Sequence, residues 1–198
     1  EFENIRKSGK IAILLKDGDE LIAVKSSCGK DEIVIGASNG RMVRFDEDEV
    51  RSMGRSTSGV KGIDMDESDH VIGAEVLNKD DYILIVTEKG YGKITQIDEY
   101  RKTHRGSKGV KALNITDKNG GMTSLKKVSS FDDYDMVIVT DSGIIMKMPL
   151  SQVSVLRRAT QGTRLINLED EQKVSTVAIV EKENSDEEDN QTEVKEEE

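Results

Sequence analysis

The chain has 198 residues, with 39 Asp and Glu against 29 Lys and Arg, 17 glycines, a single proline at Pro149 and only 4% aromatic residues. That length holds one sizeable domain or two small ones, and the glycine-rich, aromatic-poor composition favours many short strands over a helical bundle. The lone Cys28 excludes an internal disulfide and fits a reducing, cytoplasmic compartment, while no apolar run approaches the ~20 residues of a membrane helix and no signal-peptide pattern opens the chain.

Residues 1–30 read as the second half of a truncated repeat unit. Gly9 falls where Gly59 falls in the next unit, and Ile13 and Leu15 match Ile63 and Met65. The opening Glu1-Phe-Glu-Asn-Ile-Arg reads as the middle of a repeat, so the chain is expected to be a fragment of a longer protein. The unit over 31–80 begins with the apolar strand Ile33-Val-Ile-Gly-Ala-Ser-Asn-Gly40. Its Asn39-Gly40 predicts a two-residue type I′ hairpin turn, in which both central residues need positive φ. Arg41-Met-Val-Arg-Phe45 mixes apolar and cationic residues as a half-exposed returning strand would, and an acidic loop follows from Asp46 to Glu49.

The same pattern returns in a unit over 81–134, starting with Ile83-Leu-Ile-Val-Thr-Glu-Lys-Gly90, and again over 135–180, starting with Met136-Val-Ile-Val-Thr-Asp-Ser-Gly143. A second glycine comes at a constant offset, since 59 − 40, 109 − 90 and 162 − 143 are all 19. Val50, Tyr100 and Val153 each lie ten residues after the hairpin glycine and are expected to pack inward. Each unit reads as four short strands. Repeats of about fifty residues built this way suit blades around an axis. The fold class is therefore all-β, a propeller-like array forming a partial ring, because three and a half blades are too few to close one.

The net charge of −10 is unevenly distributed. Residues 181–198 hold ten acids and two lysines, which is −8, leaving −2 for the other 180 residues. Such a tail cannot bury apolar surface and is expected to be disordered. Two roles are open to it: competition with a polyanion for cations on the body, or solubilisation. The body is nearly neutral, so a cationic stripe on one face can coexist with acids on another.

Catalytic chemistry finds no constellation. His70 and His104 lack cysteine or histidine partners at ligand spacing and read as loop residues, so neither a metal nor any other cofactor is implied. Gly106-Ser-Lys-Gly109 lacks the strand, loop and helix context of a phosphate-cradling P-loop. Asp80-Asp81 and Asp132-Asp133 read as solvated turns. Tyr100 precedes Arg101, but its counterparts Val50 and Val153 mark it as core rather than nucleophile.

The cations behave differently, because they repeat in register. Arg55, Arg105 and Arg158 lie four residues before the second glycine, and Lys61, Lys111 and Arg164 lie two after it. Lys102, Lys108 and Arg157 cluster with them. Side chains repeated once per blade fall on one rim, a geometry for following a curved polyanion by its phosphates, with little sequence preference and steep salt dependence. Strict strand alternation would place Lys61 on the same side as the apolar Ile63, so a bulge or strand start is expected between them.

Gly40-Arg-Met-Val-Arg-Phe, followed by Glu49-Val-Arg-Ser-Met-Gly-Arg-Ser-Thr-Ser-Gly-Val-Lys-Gly-Ile63, resembles the C-terminal domain of the bacterial DNA gyrase A protein, and the likeness recurs in each unit over residues 1–180. The resemblance implies a β-pinwheel, a propeller-like ring whose blades exchange strands with their neighbours. It implies non-sequence-specific binding and bending of duplex DNA around the rim, in support of negative supercoiling by an ATP-dependent holoenzyme that also contains the rest of gyrase A and the gyrase B protein. On this resemblance Arg55, Lys61, Arg105, Lys108, Lys111, Arg157, Arg158 and Arg164 are the candidate DNA-binding residues, and the fragment itself is not an enzyme. The family's full domain usually has six blades, and its first blade carries a glutamine-arginine-glycine box. Neither that box nor those early blades occur here, which implies DNA binding without the complete wrap. The corresponding C-terminal domain of topoisomerase IV shares the blade pattern, and a propeller that binds peptides is the alternative from another class; a steep salt dependence separates phosphate binding from an apolar peptide groove.

Overall fold

In the computed structural model, which describes residues 5 and 7–182, the strands in chain order are β1 Glu32–Ala37, β2 Arg41–Asp46, β3 Val71–Leu77, β4 Tyr82–Thr87, β5 Tyr91–Gln96, β6 Val110–Lys111, β7 Met122–Val128, β8 Tyr134–Thr140, β9 Ile145–Pro149, β10 Thr163–Arg164 and β11 Val174–Glu181. Single 3₁₀ turns at Glu47–Glu49, Ile97–Glu99 and Leu150–Gln152 follow the second strand of each hairpin. Among the described residues no helix is long and apolar enough to cross a membrane.

Each hairpin closes through three residues. The amides of Gly40, Gly90 and Gly143 donate to the carbonyls of Ala37, Thr87 and Thr140 at 3.1, 3.0 and 3.1 Å. Only the glycine is left-handed, with φ of +78°, +78° and +84°, and Asn39 is not. The two-residue type I′ turn predicted at Asn39-Gly40 is thus replaced by a three-residue loop, in which one left-handed glycine after a right-handed turn restores the strand twist.

The strands form three antiparallel sheets, ordered β3-β1-β2-β6, β7-β4-β5-β10 and β11-β8-β9. The outermost strand of the first two sheets comes from the following repeat. β6 lies along β2 with Lys111 opposite Arg41, and β10 lies along β5 with Arg164 opposite Tyr91. This is the strand exchange of a β-pinwheel. β9 has no donated partner among the described residues, and Ile145 on it is 70% exposed.

The sheets stack face to face, so alternate residues of the central strands enter different cores. Val34, Met42, Ile83, Ile85 and Tyr100 fill the layer between the first and second sheets. Leu84, Val86, Ile94, Met136, Ile138 and Val153 fill the layer between the second and third. Each such side chain contributes about 1.5–3 kcal/mol by burial. Tyr100 and Val153 are core residues, and Val50 packs against the smaller cluster of Val43, Phe45 and Ile63. The half-exposed returning strand expected of each unit is found only in β9. β2 and β5 are buried through their middle residues, because sheets cover both faces and a donated segment covers the edge.

The segment 7–30 contains no strand. It still meets the first unit, with the Leu14 amide donating to Thr57 O at 3.1 Å. At the other end Glu181 closes β11 and the Lys182 amide donates to Asp133 O at 2.9 Å. The rest of the expected acidic tail, 183–198, lies outside the described residues.

Candidate nucleic-acid interface

β3 contacts β7 and β7 contacts β11, so these strands gather on the inner side of the array. β6 and β10 occupy the opposite edges of their sheets. The donated strands therefore mark the rim, and they carry the repeated cations outward. Lys111 on β6, Arg164 on β10 and the equivalent Lys61 are all exposed.

The break expected after Lys61 is visible in its counterparts. β6 is two residues long, and Gly40 O then accepts from both Ala112 N and Leu113 N at 2.8 and 3.2 Å. Gly90 O likewise accepts from Leu165 N and Ile166 N at 2.9 and 3.3 Å. Two successive amides on one carbonyl turn the chain, so the cation stays outside while Leu113 and Ile166 enter the core. Each rim cation also meets the polar residue three positions on: Lys61 pairs with Asp64, Lys111 Nζ donates to Asn114 Oδ1 at 3.4 Å, and Arg164 donates to Asn167 Oδ1 at 3.2 Å. The hydrogen bond from Lys61 holds the Asp64 carboxyl below its ordinary range. Arg164 further donates to Tyr91 Oη at 2.9 Å and lies 5.4 Å from its ring centre, a cation–π contact.

The repeated arginines play another part. Each is half-buried and reaches across a unit boundary. Arg55, Arg105 and Arg158 donate through Nη1 to the carbonyls of Ile11, Lys61 and Lys111 at 2.9, 2.7 and 3.1 Å. Ile11, Lys61 and Lys111 occupy equivalent places in successive repeats. Arg105 also donates through Nε to Glu49 O at 3.2 Å, and its own amide donates to Glu49 Oε2 at 3.0 Å. Lys108 and Arg157 are exposed beside these clamps, and the carbonyls of Lys108 and Gly109 accept from Arg41 at 2.7 and 2.9 Å. Lys102, in contrast, is neutralised locally: its ammonium bridges Glu32 and Asp46 at 2.7 and 2.5 Å, and the hydrogen bonds it donates to Asp46 and Glu32 raise its pKa.

Two cations of the returning strands, expected to be half-exposed, are buried. Arg44 on β2 donates to Glu32, to Ile97 O at 2.8 Å and to Tyr100 O at 2.9 Å. Lys93 on β5 is fully buried, with Nζ donating to Arg157 O and Arg158 O at 2.8 and 2.5 Å. Nothing in strand alternation marks them, since the equivalent of Lys93 in the first unit is the apolar Val43.

Among the described residues no cluster of His, Cys, Asp or Glu could hold a metal ion. His104 is 95% exposed, with Nδ1 3.6 Å from Glu49. The Gly106 amide donates to Gly62 O at 2.6 Å and the Gly109 amide to Ser107 Oγ at 3.3 Å, so these amides are occupied within the fold rather than offered to a phosphate.

A family profile described as the DNA gyrase C-terminal domain, beta-propeller, matches residues 1–28, 31–78, 81–129 and 134–181. The DNA gyrase A protein of Ureaplasma parvum serovar 3 is 44% identical over 179 residues, covering 90% of this chain and 21% of that protein. The DNA gyrase A protein of Staphylococcus aureus is 45% identical over 189 residues, covering 94% of this chain and 21% of that protein. The chain thus spans about a fifth of the length of these relatives. Among solved structures, the C-terminal domain of DNA topoisomerase IV superposes with a TM-score of 0.82 at 26% identity, covering 91% of this chain and 56% of that one. A DNA gyrase A C-terminal domain superposes with a TM-score of 0.77 at 24% identity, covering 87% and 58%, and supports the fold alone. With four matched repeats spanning most of the chain and strands exchanged between successive blades, this protein belongs to the family of DNA gyrase C-terminal β-propeller domains.

Proposed function

We propose that this chain binds duplex DNA along its rim by the phosphates, without sequence preference, and bends it. It would thereby serve the introduction of negative supercoils by a gyrase made of the rest of gyrase A together with gyrase B, in the bacterial cytoplasm and on the nucleoid. The observation that carries this reading is the placement of Lys61, Lys111 and Arg164 at equivalent outward positions of successive units, with Lys108 and Arg157 exposed beside them. Cations spaced by one blade along a curved edge match a polyanion that bends, and phosphate contacts need no base-reading geometry. Arg55, Arg105 and Arg158 stand in the same row. A guanidinium has five N–H donors, so Arg105 and Arg158 can hold backbone carbonyls and still donate to phosphate. The domain holds no part of the cleavage or ATPase chemistry in this reading. It acts by shaping DNA.

The test is binding of a fluorescent random-sequence duplex of a few tens of base pairs across a salt series, by the wild-type chain and by a Lys61→Ala/Lys111→Ala/Arg164→Ala variant. Binding that falls steeply with salt, with a log–log slope smaller in magnitude by about 2–3 in the variant, supports the rim. Salt-insensitive binding, or none at low salt, overturns it in favour of a peptide-binding scaffold.

A further inference from the structure

We propose that Lys93 is a positioning residue for DNA binding: with Thr95 it holds down the backbone that displays Arg157 and Arg158 on the rim. This rests on the rim reading above.

Segment 154–158 of the third unit runs beside β5, with Ile94 N donating to Ser154 O at 3.0 Å and Leu156 N to Ile94 O at 2.8 Å. Thr95 Oγ1 donates to Leu156 O at 2.8 Å, and Lys93 Nζ donates to Arg157 O and Arg158 O at 2.8 and 2.5 Å. Three successive carbonyls are thus held from one face of one strand. With its carbonyls fixed inward, the segment presents Arg157 to solvent and lets Arg158 reach Lys111 O.

The sister blades show that packing alone does not call for this lysine. Val43 and Met146 occupy the equivalent positions, and Phe45 occupies the place of Thr95. Val43 and Phe45 are buried in an apolar cluster and cannot hold a carbonyl. A buried ammonium is a burden on the fold: desolvation lowers the pKa of Lys93 from 10.5 to about 8, with Glu99 opposing and Arg158 reinforcing the shift. The folded state therefore binds fewer protons than the unfolded chain between about pH 8 and 10.5, and stability at this residue rises with pH there. The hold on the segment moves the other way, because a neutral amine has lost one of its three N–H donors and its charge.

The experiment measures duplex binding at low salt for the 198-residue wild-type chain, Lys93→Met, Arg157→Ala/Arg158→Ala and the combined variant, and follows the first two from about pH 7 to about pH 9. Lys93→Met should melt no lower than wild type, bind about three- to tenfold more weakly and show a salt slope smaller in magnitude by about 1–2. The combined variant should be no weaker than Arg157→Ala/Arg158→Ala. Wild-type affinity should fall through about pH 8 while that of Lys93→Met stays flat, a readout that a purely structural lysine would not give. Wild-type affinity and slope in Lys93→Met, an additive loss in the combined variant, or a flat wild-type pH profile overturns the proposal. Absence of duplex binding by the wild type itself overturns the rim reading and this one with it, and is recognised on the wild type alone.

Discussion

Arg158 donates to the backbone carbonyl of Lys111 at 3.1 Å, so an arginine of one blade fixes the chain from which the preceding blade displays its rim cation. Arg105 does the same to Lys61 at 2.7 Å. A phosphate ligand alone would tolerate lysine. A guanidinium that forks to two carbonyls would not.

Arg105→Lys and Arg105→Ala should therefore both lower stability, by about 1–3 kcal/mol, since each removes the hydrogen bonds to Glu49 O and Lys61 O. Thermal denaturation of the two variants decides the matter. Wild-type stability in Arg105→Lys would mean that charge is all the position needs.

Gly109→Ala should be far worse than Gly143→Ala, although both glycines have positive φ, +63° and +84°. A Cβ at Gly109 would stand 2.2 Å from Met42 O, backbone against backbone at the start of the donated strand, whereas nothing lies within 4 Å of one at Gly143. About 3 kcal/mol or more is expected for the first and about 1 kcal/mol for the second, read from urea midpoints.

The repeat spacing, the hairpins and the inward Tyr100 are legible in the sequence because they follow from local period and turn chemistry. The turn type at Asn39-Gly40 is not, since a glycine supplies the left-handed position of a two-residue or a three-residue loop equally well. The burial of Lys93 and Arg44 is hidden for a different reason. Alternation along β2 and β5 assigns one face to solvent, but stacked sheets remove that face, and the partners are carbonyls of the following unit that no local pattern specifies. Of the candidate site, the rim lysines are readable from register, while the bonds of the arginines to the preceding unit are not.

Acid should act through Glu32. Burial raises its pKa, but hydrogen bonds from Arg44 and Lys102 outweigh that and hold it below the ordinary 4.5. The folded state then binds fewer protons than the unfolded chain, so this stability is present above about pH 4.5 and is lost as the pH falls through the folded value. Glu32→Gln should cost about 1–3 kcal/mol near neutral pH, leaving the buried Arg44 short of its partner. The deficit should shrink toward zero when denaturation is repeated at about pH 2.

Ile145 on the uncovered strand β9 is 70% exposed, so Ile145→Lys should shift stability by no more than about 0.5 kcal/mol. A charge on an open edge opposes pairing with another chain. Sedimentation at high protein concentration should show less self-association than wild type. An unchanged profile would mean that this edge is not sticky.

Because the outer strand of each of the first two blades is supplied by the next repeat, neither is finished when its own residues have left the ribosome. Lys111 must be made before Arg41 has its partner, and Arg164 before Tyr91 has its own. Blades therefore mature one repeat behind synthesis, each newborn unit sealing its predecessor while leaving its own margin open. A stop codon or protease cut within one repeat is felt in the blade before it.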